Sequence, residues 1–133
     1  DEVNHLLDYV SLEKMRFHDT LTVETNIKVA NHTIQIAPML LIPFVENAFK
    51  HGDIINGSLN VIIDIKTEDD SLFFTIENSS LKEHSINKGI GLENITKRLE
   101  MQYPNSYTLE TNQTANTFKV ALTIRNFKYL KNE

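Results

Sequence analysis

Between residues 38 and 52 the chain combines a helical apolar face with a proline set inside it, and few other stretches restrict the fold as much. Leu41, Phe44, Val45, Ala48 and Phe49 fall at i, i+3, i+4, i+7 and i+8, which is one face of a helix turned toward a core. The pattern predicts a helix from about Pro38 to His51. Pro43 lies within it, without an N–H and in conflict with the carbonyl four residues back, so the helix is expected to start or kink there. Gly52 is expected to end it. The nearly apolar run Ile36 to Val45 is broken by two prolines and falls far short of the ~20 residues that span a bilayer.

The flanking segments alternate between the two regular periods. Residues 2 to about 18 read as a helix, with Val3, Leu6, Leu7, Val10 and Phe17 at roughly helical spacing, and Asp19-Thr20 breaks it. Leu21, Val23, Thr25, Ile27 and Val29 alternate as in a strand with one buried face. Asn31-His32 makes a turn, and Ile34 and Ile36 a short extended piece. Leu59–Ile65 and Leu72–Ile76 read as strands around Glu68-Asp69-Asp70. Residues 79 to 88 are polar and without period, which predicts a loop. A third helix is expected from Leu92 to Gln102, stopped by Pro104, and a final hairpin from Tyr107–Thr111 and Thr117–Ile124. This order is not the regular strand–helix alternation of a parallel sheet. It predicts an α+β fold, a two-layer sandwich of a mixed sheet with helices on one face.

Composition narrows the chemistry. The 133 residues are 41% hydrophobic and 23% charged, which suits one globular domain. The net charge of −5 argues against broad binding to nucleic acid, whose phosphates call for a basic excess. The absence of cysteine removes disulfides, Cys-ligated zinc and thiol nucleophiles. A helical pattern already under way at the first residue, with no initiator methionine, is expected of a piece of a longer protein.

Two places carry candidate chemistry. On the second helix Glu46, Asn47, Lys50 and His51 are expected opposite the core face, with Asn47 at i, i+3 from Lys50 and i, i+4 from His51. An amide oxygen beside an ammonium and an imidazole suits a metal-bound polyphosphate, because Mg²⁺ prefers oxygen ligands and the lysine offsets phosphate charge. A solvated polar face with a Glu46–Lys50 ion pair is the plainer alternative. The second place is Gly89-Ile90-Gly91, directly before a helix. Two glycines let the backbone approach an anion closely, and the helix N-terminus favours phosphate. A turn without a ligand would need the same residues.

Taken together, these segments resemble a known family. Pro38-Met39-Leu40-Leu41-Ile42-Pro43-Phe44-Val45-Glu46-Asn47-Ala48-Phe49-Lys50-His51-Gly52 resembles the N-box of bacterial sensor histidine kinases, in the subfamily that signals to LytTR-type response regulators. Gly89-Ile90-Gly91-Leu92-Glu93-Asn94-Ile95-Thr96-Lys97-Arg98-Leu99 is similar to its second glycine box and following helix. Tyr9-Val10-Ser11-Leu12-Glu13-Lys14-Met15-Arg16-Phe17 resembles the segment joining dimerisation helices to the catalytic domain. The resemblance implies the ATP-binding fold of histidine kinases, gyrase-type ATPases and Hsp90, with residues 1–19 as the end of a dimerisation or linker helix and 20–133 as the catalytic domain. It implies ATP and Mg²⁺ as ligands and transfer of the γ-phosphoryl to a histidine upstream of this chain. Asn47 would ligate Mg²⁺, Glu46 would orient the incoming histidine or a water, and Lys50 and His51 would touch phosphate or ribose. Gly89, Gly91, Leu92, Asn94 and Arg98 would border the phosphates.

The implied partners are the protein's own phosphoacceptor domain, a second copy in a homodimer, and a response regulator. The implied location is the cytoplasmic side of a membrane-anchored sensor. A nucleotide-binding interaction module of the same fold, without kinase activity, is the alternative.

The sequence departs from the family in three ways. Asn78, in Ile76-Glu77-Asn78-Ser79-Ser80, stands where the family carries an adenine-reading Asp. Its neutral amide is a weaker acceptor than a carboxylate, so Asn78→Asp is expected to bind nucleotide at least as well. No glycine lies between Ser79 and Lys88. Pro43 replaces a second polar residue that many relatives carry.

Overall fold

The structure, a computed structural model, describes residues 2–29, 40–81 and 92–125. The elements are α1 (Glu2–Phe17), a 3-10 turn (His18–Thr20), β1 (Leu21–Lys28), α2 (Ile42–His51), β2 (Leu59–Glu68), β3 (Ser71–Ser79), α3 (Leu92–Gln102), β4 (Tyr107–Gln113) and β5 (Thr117–Ile124). The five strands form one sheet in the order β1-β2-β3-β5-β4. β1 runs parallel to β2, and every other pair is antiparallel, which makes the sheet mixed. A parallel pair cannot be closed by a tight turn, so the chain between β1 and β2 has to cross over, and α2 lies on that crossover.

Alternation along the strands turns one face of the sheet inward. Leu59, Val61, Ile63 and Ile65 of β2, Leu72, Phe74 and Ile76 of β3, and Phe118, Val120, Leu122 and Ile124 of β5 are all buried. Register aligns them into rows, for example Ile63 opposite Ile76 and Ile76 opposite Val120. The helices cover this face. Phe44 of α2 packs on Phe74 with ring centroids 5.7 Å apart. Val3, Leu6 and Val10 of α1 and Leu92, Ile95 and Leu99 of α3 belong to the same core cluster. The first helix therefore shares the core of the rest of the chain. No helix among the described residues is long and apolar enough to cross a membrane.

The β2–β3 ladder outlasts its hydrophobic pattern. It continues to Glu68 opposite Ser71 and is closed by Asp69-Asp70, with Asp69 at φ 54°. Asp tolerates this left-handed conformation better than most residues. α2 begins at Ile42 and not at Pro38, which places Pro43 in its first turn, where a missing N–H costs nothing. Gly52 ends the helix, but at φ −69° and ψ 158° it is extended, not left-handed. Its glycine character answers to packing. A Cβ there would lie 2.6 Å from the Ala48 carbonyl oxygen, 2.6 Å from Leu59 Cδ1 and 3.2 Å from Asn78 Nδ2. The expected turn at Asn31-His32, the extended piece at Ile34–Ile36, most of the polar loop before α3, and Gly89 and Gly91 lie outside the described residues.

Candidate functional site

The candidate residues sit on α2, on the end of β3 and on α3. On α2 the residues divide differently from the expectation. Glu46 and Lys50 are exposed and His51 is half-buried, but Asn47 is only 9% exposed. The cause is the width of the buried stripe: Ile42, Phe44, Val45, Ala48 and Phe49 are all inside, and Asn47 flanks them at the margin. Asn47 is therefore not opposite the core, and its amide is largely desolvated. Glu46 and Lys50 form no ion pair with each other, unlike Arg16 with Glu13 and Lys66 with Glu68.

At the end of β3, Asn78 is 3% exposed and donates from Nδ2 to the Ser79 carbonyl over 3.0 Å. The segment leaving α2 is tied to the same place. Asp53 N–H donates to the Ser79 carbonyl (2.8 Å), the Ser79 hydroxyl donates to the Asp53 carbonyl (2.6 Å), and the Leu81 N–H donates to Asp53 Oδ2 (2.7 Å). Ser79 Oγ also accepts from the Asn60 N–H at 3.0 Å. Ser80, fully buried, donates its N–H to the Asn116 carbonyl (2.8 Å) and its hydroxyl to Gln113 Oε1 (3.2 Å). With Gly52 packed against Asn78, these bonds join the exit of α2 to the end of β3. The structure thus brings Gly52 and Asn78 together. Asp53, Ser79 and Ser80 hold them there, three residues that sequence reasoning did not single out. Asp53 gave no signal, because a carboxylate after a helix reads as an ordinary solvated residue.

On α3, Leu92 is buried in the core cluster, Asn94 is exposed and Arg98 is half-buried. Gly89 and Gly91 are outside the described residues. Beside α2, a groove of about 550 Å³ runs between the first two helices, lined by Tyr9, Glu13, Arg16, Glu46, Phe49 and Lys50 among others. Tyr9 packs edge-on against Phe49 at 5.8 Å. Burial, then the carboxylates of Glu13 and Glu46, push the Tyr9 phenol up to about 12. A second depression, of about 450 Å³, opens beside Asn78 and Ser79 and is bordered by Asn60, Glu77 and Asn116.

Asn47, Lys50 and Asn78 are of residue types that could hold a magnesium-bound nucleotide. Among the described residues no group of three or more His, Asp or Glu side chains could enclose a metal ion. Mg²⁺ commonly takes one or two protein oxygens and completes its shell with water and substrate phosphates, and Asn47, 9% exposed at the margin of α2, is a side chain able to supply one such oxygen. Gly52 has a measurable consequence. Gly52→Ala is expected to cost ~1–3 kcal/mol of stability, because the added methyl overlaps a backbone carbonyl and a buried leucine. Denaturant unfolding checks this, and a midpoint equal to wild type would show that the junction yields freely.

No protein-family model matches the chain. It is 33% identical over 110 residues to the sensor histidine kinase BtsS of Escherichia coli, an alignment that covers 80% of this chain and 20% of BtsS. The chain therefore spans about a fifth of that relative. Among solved structures, the histidine kinase AdeS of Acinetobacter baumannii superposes with a TM-score of 0.63 at 12% identity, over 93% of this chain and 64% of that one. The histidine kinase ThkA, in its complex with the response regulator TrrA, superposes with a TM-score of 0.55 at 15% identity, over 95% of this chain and 41% of that one. The mixed sheet, the helical layer on one of its faces and these superpositions agree: the chain is a domain of the GHKL, or histidine-kinase catalytic, fold.

Proposed function

We propose that this domain binds Mg²⁺–ATP and serves as the catalytic domain of a two-component sensor histidine kinase of the LytTR-linked subfamily. The observation that carries the reading is Asn47: an amide desolvated at the margin of α2, with Lys50 and His51 one turn on and the helix exit anchored to Asn78. Asn47 would supply an oxygen to the metal. Lys50 and His51 would meet phosphate or ribose, Asn78 the adenine amino group, and Gly89, Gly91, Leu92, Asn94 and Arg98 the phosphate side. In the reaction the bond from the γ-phosphorus to the bridging oxygen breaks, ADP leaves with that electron pair, and a phosphorus–nitrogen bond forms to an imidazole. Such transfer depends mainly on positioning and charge neutralisation. Glu46, exposed on α2, would orient the incoming imidazole.

The acceptor histidine would lie upstream, in a phosphoacceptor domain that also dimerises. A response regulator would take the phosphoryl group next; the similar histidine kinase ThkA is solved in complex with the response regulator TrrA. The whole protein would be a membrane-anchored sensor with this domain in the cytoplasm. The subfamily rests on the resemblance of residues 38–52 to its N-box. A second reading, a nucleotide-binding module without kinase activity, draws on Asn78, whose neutral amide is already engaged with a carbonyl.

Radiolabelled ATP tests the choice. The 133-residue chain alone is expected to acquire no acid-labile, base-stable phosphate, and the full-length protein to acquire it. An unlabelled full-length protein that still binds nucleotide would select the second reading.

A further inference from the structure

Helix α2 has no N-cap of its own. Leu41 occupies that position without a side-chain acceptor. The acceptor comes instead from the start of α1: Glu2 Oε2 takes the N–H groups of Leu41 at 2.7 Å and Ile42 at 3.3 Å. Pro43 has no N–H, and the Phe44 and Val45 N–H groups close onto the Leu41 carbonyl at 3.1 and 3.4 Å. Every donor of the first turn is thereby satisfied, two of them by one carboxylate that is itself only 6% exposed. A negative charge at this end of a helix is also favoured by the helix dipole.

The geometry makes this cap more than a local bond. α2 is ten residues long and is fixed at its far end by Gly52 against Leu59 and Asn78. Ring contacts also join it to α1, Tyr9 and Phe17 on Phe49 at 5.8 and 6.1 Å. Such surfaces tolerate small slides and rotations. A buried carboxylate shared by two N–H groups does not, since a shift of about 1 Å takes a hydrogen bond out of range. Asn47 lies between the two fixed ends.

We propose that Glu2 is a positioning residue for Asn47, setting α2 against α1 so that a displacement of α1 is transmitted through the cap to Asn47. The functional meaning of this coupling rests on the reading of Asn47 as a Mg²⁺–nucleotide residue. Linkage makes it reciprocal: a ligand that prefers the capped arrangement strengthens the cap by the same factor by which the cap strengthens the ligand.

The test uses the 133-residue chain with Glu2→Ala, Glu2→Gln and, as a control for lost stability, Leu109→Ala, half-buried on β4 and remote from α1 and α2. NMR follows the Leu41 and Ile42 backbone amides and the Asn47 side-chain amide in the ligand-free proteins, and calorimetry follows Mg²⁺–ADP. Glu2→Ala is expected to move all three signals and to weaken Mg²⁺–ADP on the order of tenfold. Glu2→Gln, which keeps a neutral acceptor of the same reach, recovers part of both effects. Leu109→Ala changes neither. An Asn47 signal unmoved in Glu2→Ala, with Leu41 and Ile42 shifted, would overturn the proposal and leave a purely local cap. Should wild type take up no Mg²⁺–ADP, the nucleotide reading falls, and the Asn47 signal alone still decides whether Glu2 positions it. Should Glu2→Ala not fold, Glu2→Gln and Glu2→Asp carry the same comparison.

Discussion

Asn47→Ala is expected to weaken Mg²⁺-dependent nucleotide binding by ~100-fold or more while the chain stays folded. Losing even an outer-sphere partner costs a metal site ~10–100-fold, and on the proposed reading Asn47→Ala would remove the direct oxygen donor. The site offers little to replace it, since no acidic cluster among the described residues could take over the ion. Stability should fall by only ~1–3 kcal/mol, the usual cost of deleting a buried, bonded amide. Asn47→Asp separates the two effects. It keeps the size and an oxygen donor, so it should retain Mg²⁺-dependent binding where alanine does not. Calorimetry with and without Mg²⁺, alongside circular dichroism, makes the comparison. Equal affinity in wild type and Asn47→Ala would remove Asn47 from the site.

Asn47 also marks the limit of what periodicity could convey. The repeat of Leu41, Phe44, Val45, Ala48 and Phe49 located α2, and Pro43 located its start, because burial and a missing N–H act locally along the chain. A helical wheel assigns Asn47 to the polar side. The stripe that is actually buried is wider, because core is packed on both flanks of α2, and that depends on α1 and β3. The same holds for the N-cap: a carboxylate 39 residues away from Leu41 leaves no local trace. The ends of β2 and β3 were missed for another reason. Lys66, Thr67 and Glu68 break the alternation while their backbone stays paired. A local turn signal does lie just after α2. Asn56-Gly57 is the pair that best forms a two-residue turn, and it closes the Ile55–Ser58 bridge with φ 54° and 86°. Gly52 ends the helix without the left-handed φ of a glycine cap. A C-terminal glycine suggests a left-handed cap, and only the packing against Leu59 and Asn78 shows that space, not φ, excludes a side chain.

The structure reverses the expectation for Asn78→Asp. A carbonyl can only accept, so the Ser79 oxygen at 3.0 Å fixes which end of the Asn78 amide is NH₂, and on the proposed reading Oδ1 is the atom that would accept from an adenine amino group. An ionised aspartate would set a carboxylate oxygen against that carbonyl, at a position only 3% exposed. Burying a charge without a donor is costly, so the carboxylate is driven away from the Ser79 carbonyl and out of the position from which the amide oxygen would accept. Nucleotide binding by Asn78→Asp is therefore expected to be weaker than wild type at neutral to alkaline pH.

Lowering the pH should restore it. The buried site and the facing carbonyl both favour the neutral acid, so the introduced carboxyl titrates above the ordinary aspartate range. Once protonated, its hydroxyl donates to Ser79 and its other oxygen accepts, which reproduces the amide pattern. Relative to wild type at the same pH, affinity should rise as pH falls through that pKa. Asn78→Leu loses both bonds and should bind worse by ~1–3 kcal/mol, roughly 5- to 150-fold, at every pH. Titrations of wild type and the two variants across pH, each variant referred to wild type, decide the matter. Tighter binding by Asn78→Asp at alkaline pH would show that this position wants a charge. Indistinguishable affinities for all three proteins would place adenine recognition elsewhere on the domain.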